Sequence, residues 1–312
     1  MTAPPGLERD FALKRLTTVK TGGSADYFAR PETQEALLGL LVWAAEEDLS
    51  VGVVGSGSNL LIADSGFRGL ALKLAGALAE VQRDGERLVC GGGARLPSIA
   101  AKAAEWGLGG LEFAVNIPGT VGGTVRMNAN AYGGELTHTL ESVMICTATG
   151  AQSRSPDALG LRYRDSDLAS GEVVSSASFR LLPGDSTEIK DTLSRLRAMR
   201  HEAQPSGIKT FGSTFTNPDD ERAGNRTAGQ LLAAAGCGGL QIGDARLSDK
   251  HANFVENLGS ATTAEIVLLM TEARRRVLQR FGVALEAEVQ VLGEVAWPDA
   301  WTTPVTNAQL KP

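Results

Sequence analysis

Ser50-Val-Gly-Val-Val-Gly-Ser-Gly-Ser-Asn-Leu-Leu-Ile62 is the stretch that decides how this chain folds. A short apolar run, Ser50 to Val54, enters a turn of small residues, Gly55, Ser56, Gly57, Ser58 and Asn59, and leaves as a second apolar run, Leu60 to Ile62. Apolar runs of this length bounded by glycine read as buried strands. The small residues let successive backbone N–H groups turn inward around an anion, which makes the loop a candidate phosphate cradle. A tight structural turn accounts for the same residues equally well. Leu60 stands where a dinucleotide fingerprint needs its third glycine, and no helical pattern follows; Gly-Lys-Ser/Thr occurs nowhere. The loop is therefore neither a Rossmann nor a Walker type.

On the N-terminal side, Glu32 to Glu47 carries apolar residues at helical spacing with acids in its first turn. On the C-terminal side, Leu70 to Leu74 reads as a strand, Arg87 to Gly93 as a strand and turn, and Pro97 to Trp106 as a helix with Pro in its first turn. Gly109 to Gly134 shows no long period of either kind, and a loop of that length is usually functional. Asp185-Ser-Thr-Glu188 has capping-box spacing and opens a helix to Met199, and Gln204-Pro-Ser-Gly207 breaks the chain. A helix around Ala228 to Ala235 is followed by a glycine turn at 236–239, and Thr262-x-x-Glu265 caps a long helix ending near Phe281-Gly282. Leu285 to Leu292 alternates as one strand, with Glu286, Glu288 and Gln290 on one face and Ala287, Val289 and Val291 on the other. The tail after Gly293 reads as an extension with little structure. Helices and strands mix throughout, so the expected class is α+β.

The composition narrows the function. In 312 residues, 43% hydrophobic and 21% charged, the net charge is −6, which disfavours binding to nucleic acid or anionic lipid. Cys90, Cys146 and Cys237 lie far apart, as do His138, His201 and His251, so neither a disulfide framework nor a metal cluster is expected. No signal-peptide pattern and no apolar run of membrane-spanning length is visible, so the expected location is the cytoplasm.

The second glycine-rich block, Ile117-Pro-Gly-Thr-Val-Gly-Gly123, joins a fixed Pro turn to three glycines and a Thr hydroxyl, and suits a flat cofactor with a pyrophosphate. With it, the chain resembles the UDP-N-acetylenolpyruvoylglucosamine reductase (UDP-N-acetylmuramate dehydrogenase) family. The resemblance runs through Lys20 to Asp26, Gly55 to Leu61, Gly110 to Phe113, Ile117 to Gly123, Met127-Asn128 and Ala131-Tyr-Gly133. It continues through Tyr163-Arg-Asp-Ser166, Gly212 to Phe215, Asn217-Pro218, Ala228-Gly229, Ala235-Gly236, Ser248-x-x-His251-Ala-Asn-Phe254 and Leu285 to Val289. These motifs stand in order over roughly residues 16–293, and the ordered set is far more specific than any one member. The resemblance implies an FAD-binding domain of the vanillyl-alcohol-oxidase (PCMH) type at 16–205, in two subdomains of about 16–70 and 71–205. A smaller α+β substrate domain would follow at 206–288, with a closing strand and polar tail at 289–312.

The resemblance also implies chemistry. The family reduces an enolpyruvyl ether of a UDP-sugar to a lactyl ether, with NADPH as reductant and non-covalent FAD as carrier, and no metal. Ser213 matches the proton donor, Arg164 the residue that binds the substrate carboxylate, and Glu288 the acidic partner. The cofactor residues are Gly55, Ser56, Gly57, Ser58 and Asn59 with Ile117, Pro118, Gly119, Thr120, Gly122 and Gly123. Taken by themselves, Ser213 is a turn hydroxyl, Arg164 an ion-pair partner of Asp165 or Asp167, and Glu286 competes with Glu288. The chain departs from the family pattern at Asn116, Asn130, Thr216 and Asp244. It lacks a tyrosine-bearing lid between Arg164 and Ser213, as a short-form subgroup does; Tyr132, Asn217, Lys250 and His251 are then weaker candidates for holding the uridine diphosphate. The competing readings are another flavin oxidoreductase of the same fold and a non-catalytic binding module.

Overall fold

A computed structural model of the chain describes residues 3–302. Packing divides it into two compact units. The first contains the described residues up to Phe11, Ala25–Ser56 and Arg68–Glu202. One of its sheets orders the strands Glu8–Ala12, Ser24–Ala29, Phe67–Leu72 and Val51–Val53, the last two running parallel with Val51 opposite Leu70. Helix α1, Gln34–Glu46, starts where Thr33 Oγ1 accepts the Ala36 N–H at 3.2 Å. Its Leu37, Leu40, Leu41 and Trp43 share a core with Leu70 and Leu72.

The other sheet is antiparallel, in the order Gly150–Arg154, Leu140–Thr147, Val173–Arg180, Arg87–Gly91 and Val81–Asp84. Helices α2 (Leu96–Glu105) and α3 (Val121–Arg126) place Ile99, Ala103, Val121 and Val125 in a core with Leu88, Val143 and Phe179. Helix α4, Ser186–Ala203, begins at Asp185, whose Oδ1 accepts from the Thr187 and Glu188 N–H groups at 2.8 and 3.0 Å.

The second unit contains Ala12–Ser24, Gly57–Phe67 and the described residues from Ala203 on. Helices α5 (Ala228–Ala234) and α6 (Thr263–Phe281) both open on complete capping boxes, Thr227 with Gln230 and Thr262 with Glu265. Gly282 stops α6 at φ +71°, its N–H bonded to Leu278 O at 2.8 Å, as a left-handed cap requires. Leu231, Leu232, Ile266, Leu269 and Met270 pack with Phe211, Phe215 and Leu247, and the early residues Val19 and Leu61 complete this core. The strands Gln241–Ile242, Ala245–Leu247 and Val255–Asn257 form one sheet, and Gln290–Leu292 runs parallel to Leu60–Ile62.

By packing, residues 12–24 and 57–67 group with the later residues. Three sequence expectations change. The 109–134 block contains a helix, α3, hidden by its shortness and its two glycines. The alternating stretch from Leu285 is not one strand. Glu286–Glu288 pairs with Thr214–Thr216, with Phe215 opposite Ala287. The chain then bends at Val289 to pair with Leu60–Ile62, and Val291 is partly exposed. The tail after Gly293 is structured as far as residue 302. It ends in helix α7, Asp299–Thr302, where Trp301 stacks on Phe215 at 5.9 Å and lies 4.7 Å from Trp297 and 5.3 Å from the Arg274 guanidinium. Residues 303–312 of the expected tail lie outside the described residues.

Candidate active site

In the first unit, the strand Val51–Val53 delivers Gly55 and Ser56. Gly55 O accepts the Lys73 ammonium at 2.6 Å. A Cβ on Gly55 would lie 2.5 Å from Thr120 Oγ1, so the two glycine-rich loops meet here. Ser56 Oγ is buried with no hydrogen-bond partner, a costly state for a hydroxyl unless a ligand completes it. Thr120 leads into α3, and the Val121 and Gly122 N–H groups are bonded to Ala94 O (2.9 Å) and Gly92 O (2.8 Å). Gly119 O accepts from Leu96 at 3.1 Å, and Ile117 and Pro118 bring the chain into this turn. Gly122 is fixed by packing, since a Cβ would sit 3.2 Å from Gly92 O.

Gly123 differs. It is exposed in a helix, and a Cβ there would meet only Thr120 Oγ1, at an ordinary 3.6 Å. Nothing in the chain itself demands a glycine at 123. A bare Cα on the surface, a buried hydroxyl without a partner and a lysine at the loop fit a flat cofactor that carries phosphates, so these residues suit FAD.

The rest of the first loop belongs to the second unit. Gly57 has φ +65°, its O accepts from Thr18 N (3.0 Å) and Thr18 Oγ1 (2.9 Å), and a Cβ would lie 2.1 Å from Leu16 O. Gly57 is thus demanded by the fold itself. Ser58 O would stand 3.4 Å from a Cβ on Gly212. Asn59 Nδ2 donates to Glu288 O at 3.1 Å, and Asn59 O accepts from Gln290 N at 3.1 Å.

Loop and candidate catalytic segments therefore meet within this unit. Glu288 N donates to Thr214 O at 2.9 Å, and Thr216 N to Glu286 O at 2.9 Å, which brings Glu288 to the segment that carries Ser213. Ser213 itself bridges Phe254, and Thr214 N donates to Asn253 O at 2.8 Å. Glu286 is exposed whereas Glu288 is half-buried. The buried Thr214 Oγ1, without a partner, is a polar atom of this site that sequence reading passed over.

Arg164 belongs to the first unit and sits in a two-residue turn closed by reciprocal bonds between Arg162 and Asp165 (3.0 and 3.2 Å). Asn128 Nδ2 donates to Arg162 O at 3.0 Å, and Ser166 Oγ to Arg126 O at 2.8 Å, tying the turn to the end of α3. Asp165 and Asp167 both pair with Arg162, at 2.6 and 2.7 Å. Arg164 points elsewhere: Nη1 donates to Asn130 O at 3.4 Å and the guanidinium lies 5.4 Å over the Tyr163 ring. Its φ of +58° is strained for a long side chain, a cost typical of positions held for function.

The weaker candidates separate. Tyr132 is 42% exposed at the tip of the Ala131–Gly134 turn. Lys250 is exposed. Asn217 Oδ1 caps α5 by accepting the Ala228 N–H at 3.0 Å. His251 packs against Gly229, where a Cβ would come within 2.6 Å of its ring, and Nδ1 accepts from Asn253 N at 3.3 Å. Burial lowers the His251 pKa. Among the departures, Asn116 bolts its turn to α4: Nδ2 donates to Leu196 O at 2.7 Å and its carbonyl accepts from Arg200. Asp244 Oδ2 accepts from Ser260 N at 2.9 Å. The three cysteines are buried free thiols, and burial pushes Cys90 up to about 12, which removes it as a nucleophile.

Residues 204–292 match the model of the UDP-N-acetylenolpyruvoylglucosamine reductase C-terminal domain, and residues 25–155 match an FAD binding domain. A UDP-N-acetylenolpyruvoylglucosamine reductase of Anaeromyxobacter sp. (strain Fw109-5) is 43% identical over 92% of this chain and 88% of its own length. One from Agathobacter rectalis is 42% identical over 93% and 95%. The solved reductase of Thermus caldophilus superposes with a TM-score of 0.79 at 34% identity, covering 94% of this chain and 99% of that one. Identity at this level across nearly the full length of both partners, joined to the FAD-binding match and the shared fold, means that the chain belongs to the UDP-N-acetylenolpyruvoylglucosamine reductase family.

Proposed function

We infer that this chain performs its family's reaction, reducing the enolpyruvyl ether of UDP-N-acetylglucosamine to UDP-N-acetylmuramate for peptidoglycan precursor synthesis. NADPH is the reductant, and non-covalently bound FAD supplies the hydride. The residues then have to hold the substrate carboxylate, stabilise the charge that grows into it, and protonate the neighbouring carbon. Arg164 suits the first task, since a planar fork of donors matches a carboxylate. Ser213 is assigned as proton donor. A neutral serine is a weak acid, and its proton moves only because the developing carbanion is strongly basic. Glu288 is assigned as the acidic group that shares a proton with the enolate.

The observation that carries this assignment is the hydrogen bond from Glu288 N to Thr214 O, with Asn59 bonded to Glu288 O. It supports a site built on the Ser213 segment, the Glu288 segment and the glycine loop. No helix among the described residues is long and apolar enough to cross a membrane, and the need for NADPH supports a cytoplasmic location. The test is Ser213→Ala in stopped flow. Flavin reduction by NADPH should stay near the wild-type rate, while reoxidation by the enolpyruvyl substrate slows by about 10² to 10⁴. Equal slowing of both halves would make Ser213 structural.

A further inference from the structure

Lys73 of the first unit reaches its glycine loop, and Arg30 and Arg95 lie near enough to act on its charge. Lys73 Nζ reaches Gly55 O at 2.6 Å, and an ammonium has two further donors to offer. Lys73 N bonds Ala29 O at 3.0 Å, which places Arg30 beside it. The Arg30 guanidinium lies over Phe28 (5.0 Å) and Phe11 (5.7 Å), and stacking leaves its in-plane N–H groups available. On the other side, a Cβ on Gly55 would touch Thr120 Oγ1, and Thr120 bridges Arg95. Burial, with Arg30 and Arg95 adding to it, lowers the Lys73 pKa, as expected where positive charges gather without a counter-charge. Among the described residues, none of the three makes an ion pair. Beside them lies the partnerless hydroxyl of Ser56.

We propose that Lys73, Arg30 and Arg95 neutralise the diphosphate of the cofactor at the Gly55–Ser56 loop, and so make this chain select FAD over flavins that lack a diphosphate. The proposal rests on the FAD reading above and adds to it a specificity device outside the glycine motifs. A diphosphate carries the negative charge the trio lacks, and its oxygens accept from Ser56 Oγ, which otherwise has nothing to donate to.

The test uses flavin-stripped protein titrated with FAD, FMN and riboflavin by quenching of flavin fluorescence. Wild type, Lys73→Met and Arg95→Gln are compared, with the melting temperature of each flavin-free protein. Each variant should bind FAD ~10- to 100-fold more weakly, the loss expected for a charge-assisted contact, with riboflavin affinity unchanged. Rising KCl should weaken FAD binding less in the variants than in wild type. Arg95 is exposed, so Arg95→Gln tests the idea even where Lys73→Met disturbs the loop. FAD affinity within about twofold of wild type in both variants, or an equal fall for riboflavin, would overturn the proposal while leaving the FAD reading intact. A wild-type protein that takes no FAD would overturn both.

Discussion

Gly123→Ala separates what the fold needs from what a cofactor needs. Gly123 lies in helix α3, exposed, with φ outside the left-handed region. The added methyl would meet only Thr120 Oγ1 at 3.6 Å, an ordinary van der Waals contact. Ala is favoured over Gly inside a helix by ~1 kcal/mol, so the flavin-free protein should gain up to that amount. If FAD lies against this bare Cα, the methyl intrudes on a close-packed contact, which costs ~1–3 kcal/mol and weakens FAD roughly 5- to 150-fold. Denaturant unfolding of the flavin-free protein and FAD titration of the same sample read the two effects independently. The predicted signature is opposite signs: higher stability, lower affinity. Unchanged FAD affinity alongside higher stability would remove Gly123 from the cofactor surface, and a loss of stability would refute the helix argument.

Glu288→Gln should cut turnover by about 10² or more while substrate still perturbs the flavin spectrum, and Glu286→Gln should do far less; the reverse order would move the acid by one pleat. A further expectation concerns acid stability. Hydrogen bonds from Arg275 (2.7 Å), the largest cause, and Arg276 (2.8 Å) hold the Glu272 pKa down from 4.5 to about 2, partly opposed by burial. Its contribution is therefore complete above its unfolded pKa near 4.5 and is lost as pH falls through about 2. The stability gap between wild type and Glu272→Gln should close over that window, and a gap that stays constant there would contradict the assignment.

What the sequence made legible was local. The ends of α6 follow from Thr262, Glu265 and Gly282, because a cap is made by residues within one turn of each other. Helix α3 escaped because six residues with two glycines show no period. The alternation in 285–292 was real, but alternation does not say who the partner is, and here the partner changes at the Val289 bend from Thr214–Thr216 to Leu60–Ile62. The tail reads as an extension with little structure because the partners of Trp301, Phe215 and Arg274, are distant in sequence. The site divided in the same way. Motif order pointed to Ser213, Arg164, Glu288 and the glycine loops, whereas Lys73 follows an ordinary apolar strand and is marked only by its reach to Gly55. Gly57 and Gly123 look alike in sequence; only the neighbours of an added Cβ show that one answers to the fold and the other does not.

The alternation of the chain between its two units bears on how the protein is made. By the time residue 202 leaves the ribosome, every segment of the first unit exists and its cores can close. The segments 12–24 and 57–67 are by then long synthesised, yet the core that takes Val19 and Leu61 is built on α5 and α6, and the strand that pairs with Leu60–Ile62 is Gln290–Leu292. These early segments must wait, with apolar side chains and a strand edge uncovered, until Gln290–Leu292 emerges. The exposure is greatest late in synthesis, so a chain stalled between residue 203 and residue 290 is the species most in need of a chaperone. Residues 203–312 expressed alone would lack Val19, Leu61 and a strand partner, and regain them only when the early segments are supplied.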